Sequence, residues 1–217
     1  MNRLQMFAPP AAMLSLVAIA LLVVGIATKE PSPAREAPPP HAGEGPAAAV
    51  IGRPAPEWGD RPWIHSAPLS WSSLRGRVVL VRFWTDGCPF CAATAPALLD
   101  LERRYGSRGL VVVGVYHPKP PRTVAAAEVE KSAGALGMTF PVAIDADWSL
   151  LKRYWLDHGD NGWTSVSFLA DREGIIRHVH PGGEFHAGGG PEHASCRADF
   201  EEMEARIQSL LSAPAGS

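Results

Sequence analysis

The stretch that decides the fold is Val78–Pro96, VVLVRFWTDGCPFCAATAP. Its first seven residues are apolar except for Arg82 and read as a buried strand. Thr85, Asp86 and Gly87 follow as a short polar turn, and Cys88-Pro89-Phe90-Cys91 opens a helix. Two cysteines therefore sit where a strand hands over to a helix. There the helix dipole and the unpaired N–H groups of the first turn stabilise negative charge, so the first sulfur can lose its proton near neutral pH. Cys91, three residues on, lies about one helical turn away, close enough to attack a mixed disulfide formed at Cys88. The plainer readings of the same pair are a structural disulfide or half of a zinc site, although a closed zinc site needs four ligands.

Working outward, the 217-residue chain carries a formal charge of −2 and no basic run, which argues against nucleic acid as a partner. Its charged residues alternate in sign, as on an ordinary solvated surface. With both ends set aside, roughly 160 residues remain, enough for one well-filled core. The ends differ in kind. Phe7–Ala27 is an almost uninterrupted apolar run with no charge until Lys29, and its helical part, after Pro9 and Pro10, has the length of a short transmembrane span. Residues 1–29 are expected to be an uncleaved membrane anchor; Gly25 and Ala27 leave open a signal segment cleaved after export. No cysteine lies at the end of the run, so no lipoprotein anchor is expected. Residues 30–50, rich in Pro, Ala, Gly and Glu, read as an extended linker, and residues 51–212 as the folded domain.

Within that domain, Gly52, Pro54, Ala55 and Pro56, then Leu69–Leu74 and the Arg75-Gly76 turn, are expected to form a lead-in hairpin covering one edge of a sheet. Leu98, Leu101 and Tyr105 mark one face of the helix after the cysteines. Leu110–Tyr116 is a second apolar strand, and the short strand–helix–strand crossover predicts that it lies parallel to the first, with Cys88 and His117 at the same edge. Thr123 is the expected N-cap of a helix running to Leu136 and ended by Gly137. A short strand over Phe140–Ile144 and a helix over Trp148–Leu156 follow. Val166–Ala170 and Ile175–His180, separated by Asp171-Arg172-Glu173-Gly174, form a hairpin. The last helix begins at Gly190-Pro191 and places Cys196, Phe200, Met203, Ile207 and Leu210 on one face. Cys196 thus reads as a small buried hydrophobe, with a third redox cysteine or a ligand beside His193 as the alternatives.

Phe83, Trp84, Cys88, Cys91 and Pro96 together resemble the active site of the thioredoxin superfamily, and the flanking segments resemble the membrane-anchored TlpA/ResA-like disulfide reductases of the redoxin group. The likeness runs from about Ile51 to His186. It implies an α/β thioredoxin-like fold, a central mixed β-sheet flanked by helices and preceded by the N-terminal segment. It further implies a thiol–disulfide oxidoreductase, with Cys88 and Cys91 as its redox-active disulfide and no other cofactor. The expected partners are protein thiols or disulfides and a redox donor or acceptor. The domain is expected to be a monomer on the extracytoplasmic, periplasmic side of the membrane.

Three departures from the family pattern stand out. Ser165 occupies the place of the family's cis-proline, which helps dock substrate and keeps metals off the two sulfurs. Arg82 stands where thioredoxins carry a buried acid, and Thr94 where many cytochrome-maturation members carry a glutamate. Beside the cysteines, the residues expected to shape the site are Trp84, Asp86, Pro89, Phe90, Arg82, Ser165 and His180, the last followed by Pro181-Gly182-Gly183, a glycine pair that admits a partner's backbone. Pro-aromatic between the cysteines resembles the glutaredoxin dipeptide, and Arg82 favours a thiolate if it points at them, while Asp86 opposes it; the plainer reading of Arg82 is an ion pair with an acid elsewhere in the core. Two other classes remain. A peroxiredoxin-like peroxide reductase would use Thr85, but Val81 replaces that family's proline. A copper-binding module would use Cys88, Cys91 and a histidine such as His180. The late histidines His178, His180, His186 and His193 suit a transition metal chemically, but their placement argues against one, and no metal ligands are expected.

Overall fold

The computed structural model describes residues 45–214; the anchor expected over residues 1–29, and most of the linker, lie outside them. The elements follow in the order β1 (Trp63–Ile64), β2 (Val78–Trp84), α1 (Pro89–Tyr105), β3 (Leu110–Tyr116), α2 (Ala126–Ala135), β4 (Val142–Ile144), α3 (Ser149–Tyr154), β5 (Ser167–Ala170), β6 (Ile176–His180) and α4 (Ala194–Ser212). The strands form one six-stranded sheet of order β1-β4-β3-β2-β5-β6. β2 pairs in parallel with β3 from Val78↔Leu110 to Trp84↔Tyr116, and β3 pairs in parallel with β4. β5 runs antiparallel to β2 and to β6, so the expected mixed sheet and terminal hairpin are both present.

All seven residues of β2 are buried because both of its faces are covered. Its side chains alternate between the two layers. Val78, Leu80 and Trp84 join Leu98 and Leu101 of α1, Val129 and Ala133 of α2, and Phe200, Met203 and Ile207 of α4. Val79, Val81 and Phe83 join Leu150, Leu151 and Tyr154 of α3 together with Trp58, Trp71 and Leu74. The alternation puts Arg82 on the α1 side of the sheet. The packed structure also reaches back past Ile51, since Ala47 and Val50 are buried in the second layer.

The lead-in hairpin is a correction. Residues 71–76 are a run of turns, and only Trp63–Ile64 forms a strand, antiparallel to β4 at one edge of the sheet. The indoles explain this: Trp58 and Trp71 stack at 5.3 Å between centroids, and Trp58 meets Trp63 edge-on at 5.6 Å. Trp58, Trp63 and Trp71 are thus held by aromatic burial over the sheet face, while residues 52–55 do cover the β6 side of the sheet: Pro54 bridges Ile175, and the Gly52 and Ala55 N–H groups donate to the Ile176 and Gly174 carbonyls at 2.8 and 2.9 Å. α2 begins at Ala126 rather than beside Thr123, with Ala125 at the cap position and no side-chain cap bond, while its end at Leu136 and Gly137 (φ +69°) is as expected. In α4 the buried stripe ends on Leu211 instead of Leu210, one four-residue step beyond Ile207. No helix among the described residues is long and apolar enough to cross a membrane.

Candidate active site

β2 delivers the chain to the edge of the sheet, and α1 starts there. Cys88 is the N-cap residue, in extended conformation (φ −84°, ψ 112°), and Pro89 occupies the first turn, where its missing N–H costs nothing. The Cys88 Sγ accepts a hydrogen bond from the Cys91 backbone N–H at 3.2 Å. The sulfur thus plays the part of a capping oxygen, and a negative charge on it is favoured by the helix terminus. Both residues are free thiols in this structure; Cys88 is partly exposed and Cys91 is 1 % exposed.

The surroundings split the two thiols. A hydrogen bond from the Cys91 thiol, aided by the Cys91 N–H and the charge of Arg82, pulls the Cys88 pKa down to about 6 against the opposing effect of burial. The same hydrogen bond and deeper burial push Cys91 far up, so it keeps its proton at neutral pH. Arg82 itself is 1 % exposed. Its guanidinium donates to Ser167 Oγ at 3.2 Å and to the Gly183 carbonyl at 2.9 Å, and it sits over the Phe185 ring at 5.8 Å. Burial lowers its pKa and the two sulfurs raise it again. No carboxylate among the described residues pairs with it; it faces the cysteines, so the alternative of an ion pair elsewhere in the core falls away.

Asp86 lies next in the turn, and its carboxylate is engaged by its neighbours. Its Oδ1 accepts from the Tyr116 hydroxyl at 2.8 Å and from Thr85 Oγ1 at 3.3 Å, and the Tyr116 bond lowers its pKa. Thr85, which a peroxide-orienting role needs free, is 6 % exposed and spends its hydroxyl on Asp86. Trp84 is fully buried and meets Tyr116 edge-on at 5.0 Å, supporting the turn from beneath. Phe90, half-buried beside the cysteines, meets the half-buried Trp163 edge-on at 5.2 Å, so these two rings form an aromatic rim. Ser165 is buried in the segment entering β5, next to Val166, whose carbonyl accepts from Phe83 N–H at 2.9 Å; the peptide before Ser165 is trans. His180 is buried at the end of β6, with Nε2 3.4 Å from Asp199 and its ring edge-on to Phe185. Cys88, Cys91 and His180 do not gather into a group of potential metal ligands among the described residues. His117, which follows β3 at the same sheet edge, is fully buried; burial first, then Lys119, lower its pKa to about 3.

The first glycine of the pair has an internal task, whereas nothing would crowd a Cβ at Gly183. Gly182 (φ +139°) lies so close to Trp163 that a Cβ there would fall 2.4 Å from the indole's own Cβ, so the space belongs to this chain's side chain and not to a partner's backbone. Trp163, Tyr116 and Phe185 were not picked out as site residues from the sequence, and Thr94 was noted only as a departure from the family pattern. Thr94 Oγ1 donates back to the Phe90 carbonyl at 2.8 Å and accepts from Phe185 N–H at 3.3 Å, which ties the loop after β6 to α1. The one available signal was Trp163 itself, a large aromatic two residues before the family's proline position.

The Redoxin family profile matches residues 58–188, more than half of the chain. The chain belongs to the Redoxin family. Over 120 residues it is 30 % identical to protein DipZ of Mycobacterium bovis, covering 54 % of this chain and 16 % of DipZ. Over 111 residues it is 29 % identical to the thiol-disulfide oxidoreductase ResA of Geobacillus kaustophilus, covering 51 % of this chain and 58 % of ResA. It therefore spans less than two thirds of either relative. A Chlorobium tepidum structure described as a DsbE thiol:disulfide interchange protein superposes with a TM-score of 0.59 at 23 % identity, over 75 % of this chain and 98 % of that one. The fold is thioredoxin-like.

Because the Cys88 thiol is depressed, it is protonated below pH 6 and a thiolate above it, so its reactivity must rise with pH through that midpoint. Alkylation of Cys88 with iodoacetamide should follow a single titration near pH 6. Cys91→Ala removes the first-named cause and should move the midpoint upward by at least about one unit, toward the ordinary thiol value near 8.5.

Proposed function

We propose that this chain is a thiol–disulfide oxidoreductase that exchanges disulfides with protein partners through Cys88 and Cys91. The observation that carries the reading is the split of the two thiols at the start of α1: a partly exposed, acidic Cys88 beside a buried, protonated Cys91. The names of ResA and of the DsbE structure agree with it.

In the reducing direction the Cys88 thiolate attacks one sulfur of a partner disulfide. A Cys88–partner S–S bond forms, the partner's S–S bond breaks, and its second sulfur leaves as a thiolate. Cys88 then no longer carries the charge that holds Cys91 protonated. Arg82, which lowers the Cys91 pKa, remains beneath it and stabilises the second thiolate. Cys91 gives up its proton to solvent and attacks the Cys88 sulfur; a Cys88–Cys91 S–S bond forms, the Cys88–partner S–S bond breaks, and the partner, its two thiolates protonated by solvent, leaves as a dithiol. The two electrons that reduced it come from the dithiol, now a Cys88–Cys91 disulfide. The oxidising direction is the same sequence reversed. The Phe90–Trp163 rim gives the exposed sulfur an apolar border against which an unfolded or extended segment can lie.

The reading extends to location. The apolar run Phe7–Ala27 supports a domain tethered to the membrane and facing the extracytoplasmic side. Protease added to spheroplasts should digest it, and a domain that survives intact would contradict the assignment.

The two cysteines carry different roles, so single substitutions distinguish them. Cys91→Ala expressed in cells should accumulate mixed disulfides through Cys88, seen as reductant-sensitive bands on non-reducing gels. Cys88→Ala should give none. Equal trapping by both variants would overturn the assignment of attacking and resolving thiols.

A further inference from the structure

Outside the dithiol, a second group of metal-ligating side chains gathers where the loop after β6 meets the start of α4. One ligand atom each from Glu184, His186, His193 and Cys196 lies within 4.8 Å of all the others. Glu184 Oε1 is the centre of the group. Cys196 Sγ lies 3.6 Å from it, His193 Nδ1 3.6 Å and His186 Nε2 4.0 Å. Four ligands at Zn–N, Zn–O and Zn–S bond lengths of 2.0–2.3 Å sit at tetrahedron edges of about 3.3–3.8 Å. The three distances to Glu184 are already at or within a few tenths of an ångström of those edges.

The histidine rings are also oriented for the purpose. His186 Nδ1 lies 3.0 Å from the Gly188 carbonyl. A carbonyl only accepts, so Nδ1 carries the proton, and in the neutral ring the lone pair is on Nε2, the nitrogen facing the group. This is the outer hydrogen bond that metal-bound histidines make. His193 Nδ1 is buried without a hydrogen-bond partner, although it points at the group. The loop between the two histidines is shaped around the second ring: Gly189 (φ +96°) has no room for a Cβ, which would fall 2.6 Å from the His193 ring. Arg197 pins that loop by donating to the Gly189 and Gly190 carbonyls at 3.1 and 2.7 Å, and the His186 N–H donates to the Cys196 carbonyl at 3.2 Å.

We propose that Glu184, His186, His193 and Cys196 form a four-ligand site for a borderline-soft divalent cation, zinc, that pins the loop after β6 to the start of α4. Two imidazoles, a thiolate and a carboxylate are all zinc donors, and four protein ligands make the closed set of a structural site. The Cys196 thiol loses its proton to solvent on binding. Cys196 is then neither a redox partner of the dithiol nor a mere filler of the helix stripe.

The test uses the full chain carrying Cys88→Ser and Cys91→Ser, so that no other thiolate contributes, and titrates it with Co²⁺ and then Zn²⁺. One equivalent of Co²⁺ should bind with the charge-transfer absorption of a cobalt–thiolate bond and the strong visible bands of tetrahedral cobalt, and Zn²⁺ should displace it. Adding Cys196→Ser should abolish the charge-transfer absorption. Because Cys196 is buried, the partly exposed His193 provides a second arm: His193→Gln should weaken Co²⁺ at least about tenfold. No thiolate absorption in the parent, or the same absorption and affinity in both variants, would overturn the proposal.

Discussion

A guanidinium buried in the core, and paired with no carboxylate among the described residues, is the constraint on which the rest of the site depends. Arg82 stays charged in proteins, and a buried charge costs several kcal/mol unless something compensates it. Here the compensation is arranged in parts: Ser167 Oγ, the Gly183 carbonyl and the Phe185 ring take the donors and the face, and its Nε–H is left without a hydrogen-bond partner. What remains for charge balance is sulfur. A thiolate at Cys88, or at Cys91 once Cys88 is engaged, is the anion that this cation lacks.

That requirement explains why the loop after β6 is built as it is. Gly183 must bring its carbonyl to a residue 101 positions earlier, and Phe185 must lie over the same guanidinium. Gly182 allows the turn by passing against Trp163, and Thr94 fixes Phe185 to the first turns of α1. Trp163 in turn borders Phe90 between the cysteines. A single connected set of contacts therefore joins the cation, the loop, the helix that carries the sulfurs and the rim a partner would meet. Glu184 and His186 flank Phe185, so a cation at the second site would stiffen the same loop.

Much of this was legible in the sequence where the signal is local. β2 and β3 are apolar runs rich in valine and aromatic residues, interrupted only by Arg82 and Gly114, and the β5–β6 hairpin is announced by Asp171-Arg172-Glu173-Gly174. The cysteine pair declares itself by its place between strand and helix. The contacts that depend on distant chain were not legible. Whether Arg82 faces the sulfurs or an acid depends on which layer covers each side of β2, and its partners come from β5 and the loop after β6. The expected lead-in hairpin failed because Trp58, Trp63 and Trp71 bury their segment through ring packing, which has no period to read. The gathering of Glu184, His186, His193 and Cys196 was hidden by spacing, since it requires Gly188-Gly189-Gly190 to fold back on the start of α4.

If Arg82 needs the thiolate, it stabilises the reduced form more than the disulfide and makes the protein the more oxidising for it. The most direct measurement is the midpoint potential of the Cys88–Cys91 couple, read by equilibration with glutathione buffers, in the wild type and in Arg82→Asn. The wild type should lie at least about 30 mV less negative than thioredoxin's −270 mV, roughly 1.4 kcal/mol for two electrons, and Arg82→Asn should return toward that value. A wild-type midpoint at or below thioredoxin's, or one that the substitution leaves unmoved, would contradict the account.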